Sequence, residues 1–337
     1  MKRAAFLIAA CAAPATAQPA PPDYGFNFIT IGDVGNPGYT GPDPDGHVFE
    51  HGSVGYEYRI ARTEVTTAQY VEFLNGQIDA GLKPNLAFAP LYMGGGFDFG
   101  NGRWVVSPGG DRLPIAGVSW RSAAIFMNWL HNGKVNTIEA LSSGAYDVST
   151  FNSSSPYTDQ STRSPGAKYW IPSLDEWMKA AHYDPDRYGP GEGGWWNFNN
   201  SSDTMPVPGL PGEGDTSAGL QIADDLAFAI PLESYPETTT PWGLLDTSGG
   251  GGEWTEDWRR DGVVYRVWQG NAAGRTTWNP LDPFSHSIDE IWRIGAERPN
   301  FPFALTTFRV ASLVPMPGVG SLLIVLFATT NTRRRSR

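Results

Sequence analysis

Asp246 and Glu253 bracket a run of four glycines, Gly249 to Gly252, inside the stretch Pro241–Trp258. Consecutive glycines cost backbone entropy on folding. A run of them therefore implies unusual backbone angles or a close approach to something. Two carboxylates flanking free carbonyls on a tight loop suit a hard cation such as calcium, which takes oxygen ligands. The plain alternative for the same residues is a flexible surface turn with solvated acids.

Other chemistry is thinner. Asp224, Asp225, Asp257, Asp261, Glu253 and Glu256 are acids from which a glycosidase pair could be drawn, but sequence places no two of them at a working separation. His47 and His51 stand at i,i+4, which suits a metal only on a helix, and Gly46 and Gly52 argue against one. His131, His182 and His286 are isolated. Ser119 lies in Gly-Val-Ser-Trp-Arg, with Arg121 where a nucleophile elbow requires glycine. Met93 to Gly96 is no phosphate cradle, because neither Lys-Ser/Thr nor a helix start follows. No catalytic residue is assigned. Trp195, Trp196, Trp268 and Trp278 are candidates for a ligand platform, with core packing the commoner fate of tryptophan.

Four blocks resemble, in order, the formylglycine-generating enzyme (sulfatase-modifying factor) family. They are YRIARTEVTTAQYVEFLN at Tyr58–Asn75, PIAGVSWRSAAIFMNWL at Pro114–Leu130, YWIPSLDEWMKAA at Tyr169–Ala181, and GLLDTSGGGGEWTED within Pro241–Trp258. A closing FRVA stands at Phe308–Ala311. The resemblance covers residues 24–312. It implies an α+β, C-type-lectin-like fold with little regular structure, about three short helices and several short strands. It also implies one calcium on the glycine-rich loop, with side-chain ligands Asp246 and Glu253 and carbonyls of Gly249 and Gly251. Gly250 and Gly252 stand where the family has Asn and Trp, which predicts weaker packing around the loop. In a second family calcium site, Asp224 is the one weak candidate. The family's two copper-binding cysteines fall near Arg275 and Pro280, so neither copper nor formylglycine generation is expected. The implied role is a non-redox binding or surface-architectural module. The alternative is an enzyme of the same superfamily, formylglycine-generating or non-haem-iron oxidoreductase-like, working through an unrecognised site.

Composition fits an exported domain. The 337 residues hold 40 glycines, 28 prolines and 18% charged residues, a profile of a loop-rich globular chain rather than a helical bundle. Lys2 and Arg3, the apolar Ala4–Ala13 and Ala15-Thr16-Ala17 read as a signal peptide over 1–17. The single cysteine, Cys11, lies inside it and also permits a lipoprotein signal. The mature chain therefore has neither disulfide nor thiol chemistry. Six of the 24 basic residues lie in the two terminal segments, leaving 18 against 35 acids, a charge of −17. Such a surface repels nucleic acid. After a linker at 18–23 and the domain, residues 313–337 carry Pro315-Met316-Pro317, the apolar Val319–Ala328 and Arg333 to Arg335. Ten apolar residues are half of the roughly 20 a membrane helix needs. The order resembles a PEP-CTERM sorting signal, with Met316 in place of the usual Glu. It implies a sorting transpeptidase and a place at the cell envelope or surface, or outside it. The partner is then an envelope or extracellular-matrix component, glycan or protein.

The elements that must position these residues are partly legible. Thr66 with Gln69, and Ser173 with Glu176, form capping boxes, and Ser119 caps a third helix. Gly76, Gly133 and Pro185 predict where these helices stop. Phe26–Ile31, Tyr56–Arg62, Val263–Gly270 and Phe308–Val310 read as strands. Residues 77–112, 133–166 and 204–240 read as loops, the second as an excursion from the surface.

Overall fold

The computed structural model describes residues 20–83, 89–220, 222–260, 264–270 and 290–314. The signal segment, Asp261, Arg275, Trp278, Pro280, His286 and the tail from Pro315 lie outside the described residues.

The chain opens with β1 (Ile29–Ile31) and β2 (Tyr58–Ile60), then α1 (Thr67–Asp79). The hairpin β3 (Gly95–Asp98) and β4 (Arg103–Val106) follows, then α2 (Trp120–His131), α3 (Ile138–Ser142) and β5 (Tyr169–Trp170). Next come α4 (Leu174–His182), β6 (Tyr183–Asp184), β7 (Gly194–Trp195) and α5 (Asp224–Ala227). The last part holds β8 (Gly252–Arg260), β9 (Val264–Gln269), β10 (Ile294–Glu297), β11 (Thr306–Thr307) and β12 (Ala311–Ser312). One sheet runs β1-β2-β12-β5, so the chain's start pairs with its end; a second runs β10-β9-β8-β11. β3-β4 and β6-β7 are separate hairpins. This is the expected α+β fold, with two short helices, α3 and α5, beyond the three expected.

Each of the three predicted caps forms. Thr66 and Ser173 make complete capping boxes and Ser119 accepts from Ser122 N. A cap of this kind contributes about 1 kcal/mol. The Gly76 stop does not form. The helix runs on to Asp79 and turns at Gly81, φ +85°. Gly76 is small for another reason: a Cβ there would sit 2.6 Å from Asn136 Oδ1 and 3.2 Å from Trp129 Nε1. It lets α1 lie close to the segment after α2. That segment is a surface excursion only in part. Tyr146 is fully buried, and Asn128 on α2 holds it, accepting from Tyr146 N at 2.7 Å and donating to the carbonyls of Leu141 and Tyr146. Residues 77–112 contain the β3-β4 hairpin rather than loop alone. Phe308–Val310 is not itself a strand; β11 and β12 flank it, and Phe308 and Val310 enter the core.

The main core stacks aromatics from three elements. Phe73, Phe126 and Trp129 meet at 5.2 to 5.8 Å, and Phe308 closes on Phe126 at 5.3 Å. A second apolar cluster joins Tyr39, Val48, Leu174, Met178, Val267, Ile291 and Trp292, with Trp195 packed against it. Through Tyr39 and Val48 it anchors the loop of residues 36–55, which is closed by backbone bonds between Tyr39 and His51 and between Glu50 and Tyr39.

Candidate functional site

The glycine run adopts both conformations that such a run permits. Gly249 and Gly250 have φ of +90° and +61°, a region that disfavours any side chain. Gly251 and Gly252 are instead points of close approach. Gly251 N donates to Glu64 Oε1 at 2.9 Å, and a Cβ on Gly252 would lie 2.4 Å from the Trp268 ring. Trp268 thus occupies the space beside Gly252 and stacks on Phe303 at 6.0 Å. The expected loosening at position 252 is corrected: a tryptophan from the neighbouring strand fills it. Trp268 is consequently a packing residue rather than a platform.

Glu253 is 1% exposed, and both carboxylate oxygens are engaged. Arg309 Nη2 and Nε donate to Oε1 and Oε2 at 2.7 and 2.8 Å, and Trp177 Nε1 donates to Oε2 at 2.8 Å. Arg309, 0% exposed, also donates to the carbonyls of Ala61, Arg62 and Leu245, tying β2 and the chain before the glycines to the chain's end. Asp246 is half-buried at φ +56°, and its Oδ2 accepts from Glu233 N at 2.9 Å. Burial pushes its carboxyl up to about 6. Glu64, from the first family-like block, completes the cluster. Its Oε2 is buried without a hydrogen-bond partner, and its carboxylate lies 2.5 Å from where a Gly250 Cβ would stand. Burial, then the nearby Glu253, raise the Glu64 carboxyl well above its ordinary range.

These contacts change the argument for calcium. The repulsion between Asp246 and Glu253 is already offset by the Arg309 guanidinium, so no cation is needed for Glu253. Among the described residues no three His, Cys, Asp or Glu side chains converge to hold a metal. Of the four residues implied by resemblance, Asp246 and the carbonyls of Gly249 and Gly251 remain uncommitted to Arg309. Asp224, set aside as a second-site candidate, sits in the first turn of α5 with Oδ1 buried and unpartnered.

Among the described residues four cavities lie elsewhere, of which three border residues already discussed. The first, about 610 Å³, is lined by Tyr56, Arg163, Trp170 and Glu256. Arg163 bridges Glu176 and Glu256 at 2.8 and 2.9 Å and lies 4.1 Å above the Trp170 ring. Burial pushes the Glu256 carboxyl up to about 7. Glu176 does cap α4, as its spacing predicts, and also accepts from Tyr56, Arg163 and Trp170. The second cavity, about 480 Å³, is lined by Tyr39, Arg187, Tyr188, Trp195 and Asp203. Trp195 meets Tyr39 edge-on at 5.9 Å, while Trp196 lies under Arg187 at 4.2 Å. Of the described platform candidates, Trp195 lines this cavity. The third, about 230 Å³, is lined by His47, His51, Asp257, Trp258 and Arg259. The histidines that helical spacing dismisses thus meet at a cavity wall by loop geometry. Residues 36–55 border both the second and third cavities.

Residues 39–290 match the family described as the sulfatase-modifying factor enzyme 1-like domain. No curated protein sequence matches the chain. Among solved structures, CarF is 17% identical with a TM-score of 0.51, over 86% of this chain and 99% of that one. The variable protein 1 of Treponema denticola is 16% identical with a TM-score of 0.47, over 85% of this chain and 95% of that one. PvdO from Pseudomonas aeruginosa is 16% identical with a TM-score of 0.44, over 86% and 92%. The likeness to CarF is one of fold alone. With the four sequence blocks in order, the α+β fold around the glycine-rich loop and a family match spanning most of its length, the chain belongs to the sulfatase-modifying factor enzyme 1-like domain family.

Proposed function

We propose that the protein is an exported, non-redox binding module of this family, held at the cell envelope and turned toward a glycan or protein of the envelope or extracellular matrix. The observation that carries this reading is chemical. The one cysteine is Cys11, in the signal segment, so the mature chain has no thiolate to hold copper or attack a substrate cysteine. Two arms test it. The purified protein, incubated with copper and a sulfatase-type cysteine peptide, is expected to leave the peptide mass unchanged; the aldehyde product would overturn the reading. Deleting Leu313–Arg337 is expected to shift the protein from the envelope to the medium, and an unchanged distribution removes the proposed role of the tail and its transpeptidase.

An enzyme with a different site is the second reading, favoured by one observation: Glu256 borders the 610 Å³ cavity with a carboxyl poised near neutrality. Its oxygens, however, already accept from Tyr146 Oη, Arg163 N and Arg163 Nη1 at 2.7 to 2.9 Å. A carboxylate so fully engaged serves to fix Arg163.

Calcium on the glycine-rich loop belongs to the same proposal, with Asp246, Glu253 and the carbonyls of Gly249 and Gly251 as the implied set. Ion binding to the folded state alone raises stability by mass action. Calcium is expected to raise the melting midpoint, and Asp246→Ala to abolish the increment. Glu253→Ala is expected to abolish most of the increment too, and also to lower the midpoint in chelator, since it strips Arg309 of its partner. Midpoints that do not respond to calcium in a protein shown by metal analysis to be calcium-free refute the site.

A further inference from the structure

We propose that the 230 Å³ cavity between the loop of residues 36–55 and the end of β8 is a subsite for one neutral, hydroxyl-rich saccharide ring, read by Asp257, His51 and Trp258. This rests on the binding-module reading and names its ligand class.

The loop is held over the cavity from α4. Asp175, in the first turn of that helix, accepts from Gly52 N at 2.7 Å and pairs with His51 Nδ1 at 2.8 Å. This fixes the imidazole and leaves Nε2 without a partner among the described residues. Asp257 is fixed from the other side, its Oδ2 accepting from Leu174 N at 2.6 Å. Its Oδ1 likewise has no hydrogen-bond partner among the described residues. Trp258 lines the same wall and is backed by the Arg266 guanidinium at 3.8 Å from its ring centre. His47 and Arg259 complete the polar rim, and Leu174 and Ile294 supply an apolar floor.

The lining selects among ligands by elimination. Asp257 on the lining and Asp175 behind His51 balance the charges of Arg259 and His51, which leaves no net positive charge to hold an anion. An apolar ligand would strand the carboxylate and imidazole without partners. A volume below the roughly 300–1,000 Å³ of sites for drug-sized ligands suits a single ring. A hydroxyl both donates and accepts. It can satisfy Asp257 Oδ1 as donor and meet His51 Nε2 in either protonation state. A sugar's C–H face suits the aromatic Trp258. The loop places this subsite beside the larger aromatic cavity of Tyr39, Tyr188 and Trp195, which it also borders. The groups facing His51 are Asp175, Asp257 and Asp43, and its pairing with Asp175 raises its proton affinity. Burial raises the Asp257 carboxyl. Protonated Asp257 ceases to accept at its hydroxyl oxygen, so binding weakens as pH falls.

The test uses the full exported chain and methyl glycosides of glucose, galactose, mannose and N-acetylglucosamine, followed by saturation-transfer NMR and tryptophan fluorescence. At least one glycoside is expected to bind at millimolar concentration and to weaken on acidification. Asp257→Asn, which keeps an oxygen for Leu174 N, and His51→Gln are each expected to weaken binding about tenfold or more, the loss of a buried hydrogen bond. Asp203→Asn, in the neighbouring cavity, is expected to leave it unchanged. No binding by any of the four glycosides overturns the subsite, as does binding that survives both Asp257→Asn and His51→Gln. Oligosaccharide binding that persists in those two variants would retain the module reading while removing this site, and the cysteine-peptide assay reports on that reading separately.

Discussion

Replacing Arg309 with methionine is expected to cost about 3–5 kcal/mol of folding stability, the penalty for stripping one partner from a buried ion pair. Its guanidinium is 0% exposed and makes five hydrogen bonds, two to Glu253 and three to the carbonyls of Ala61, Arg62 and Leu245. Methionine matches the apolar stem but leaves Glu253 charged and buried, with three carbonyls unpaired. Glu253→Gln is expected to cost less, because the amide oxygen still accepts from the guanidinium and what is lost is charge assistance, of the order of 1–2 kcal/mol. Combining Arg309→Met with Glu253→Gln is expected to recover part of the loss, since the stranded carboxylate is gone. Urea unfolding of the three variants measures all of this. A loss under 1 kcal/mol for Arg309→Met, or strict additivity in the double variant, would show that the pair does not hold the glycine-rich loop to the sheet.

The helices were legible because their signals are local. Thr66 with Gln69 and Ser173 with Glu176 satisfy each other's backbone within one turn, so sequence spacing is the whole geometry. Gly76 misled for the converse reason: its smallness answers Asn136, sixty residues away. The same limit applies at the site. That four glycines must be strained or closely approached follows from the residue type. Which of the two applies depended on Glu64 and Trp268, distant in sequence and unmarked by any local pattern. Arg309 was visible only as the second letter of FRVA, and nothing in that motif says that it pairs with Glu253. His47 and His51 were judged by helical spacing, whereas a loop held by Asp175 and the second apolar cluster brings both to one cavity. The copper question depended on composition alone, so the sequence could address it without geometry.

Unusually for a folded domain, stability is expected to fall as pH rises from about 4 toward 7. Three carboxyls bind protons more tightly when folded than unfolded: Glu64, well above its ordinary 4.5, Asp246, pushed to about 6 from 3.8, and Glu256, pushed to about 7 from 4.5. An acid with a raised folded value contributes its full stability below the unfolded value and loses it as pH climbs to the folded one. The slope is about 1.4 kcal/mol per pH unit for each proton of difference. His51, raised by Asp175, works in the same direction near its ordinary 6.5. His182, buried and depressed to about 3, opposes them below 6.5, because the unfolded chain then holds the extra proton. His131, also depressed by burial, acts like His182, but three carboxyls and His51 outweigh the two and leave the net slope downward. Glu64 gives the sharpest test, since its Oε2 has no partner to favour the ion. With chelator present, Glu64→Gln is expected to raise stability by about 1 kcal/mol or more at pH 7.5, where the wild type must keep that carboxyl protonated or bear its buried charge. At pH 4.5, where unfolded glutamate is itself half protonated, the two proteins should differ little. If Glu64→Gln is destabilising at pH 7.5 once calcium replaces the chelator, the carboxylate is ionised in the folded protein and offset by the ion. Calcium should then restore the wild type's advantage and not the variant's.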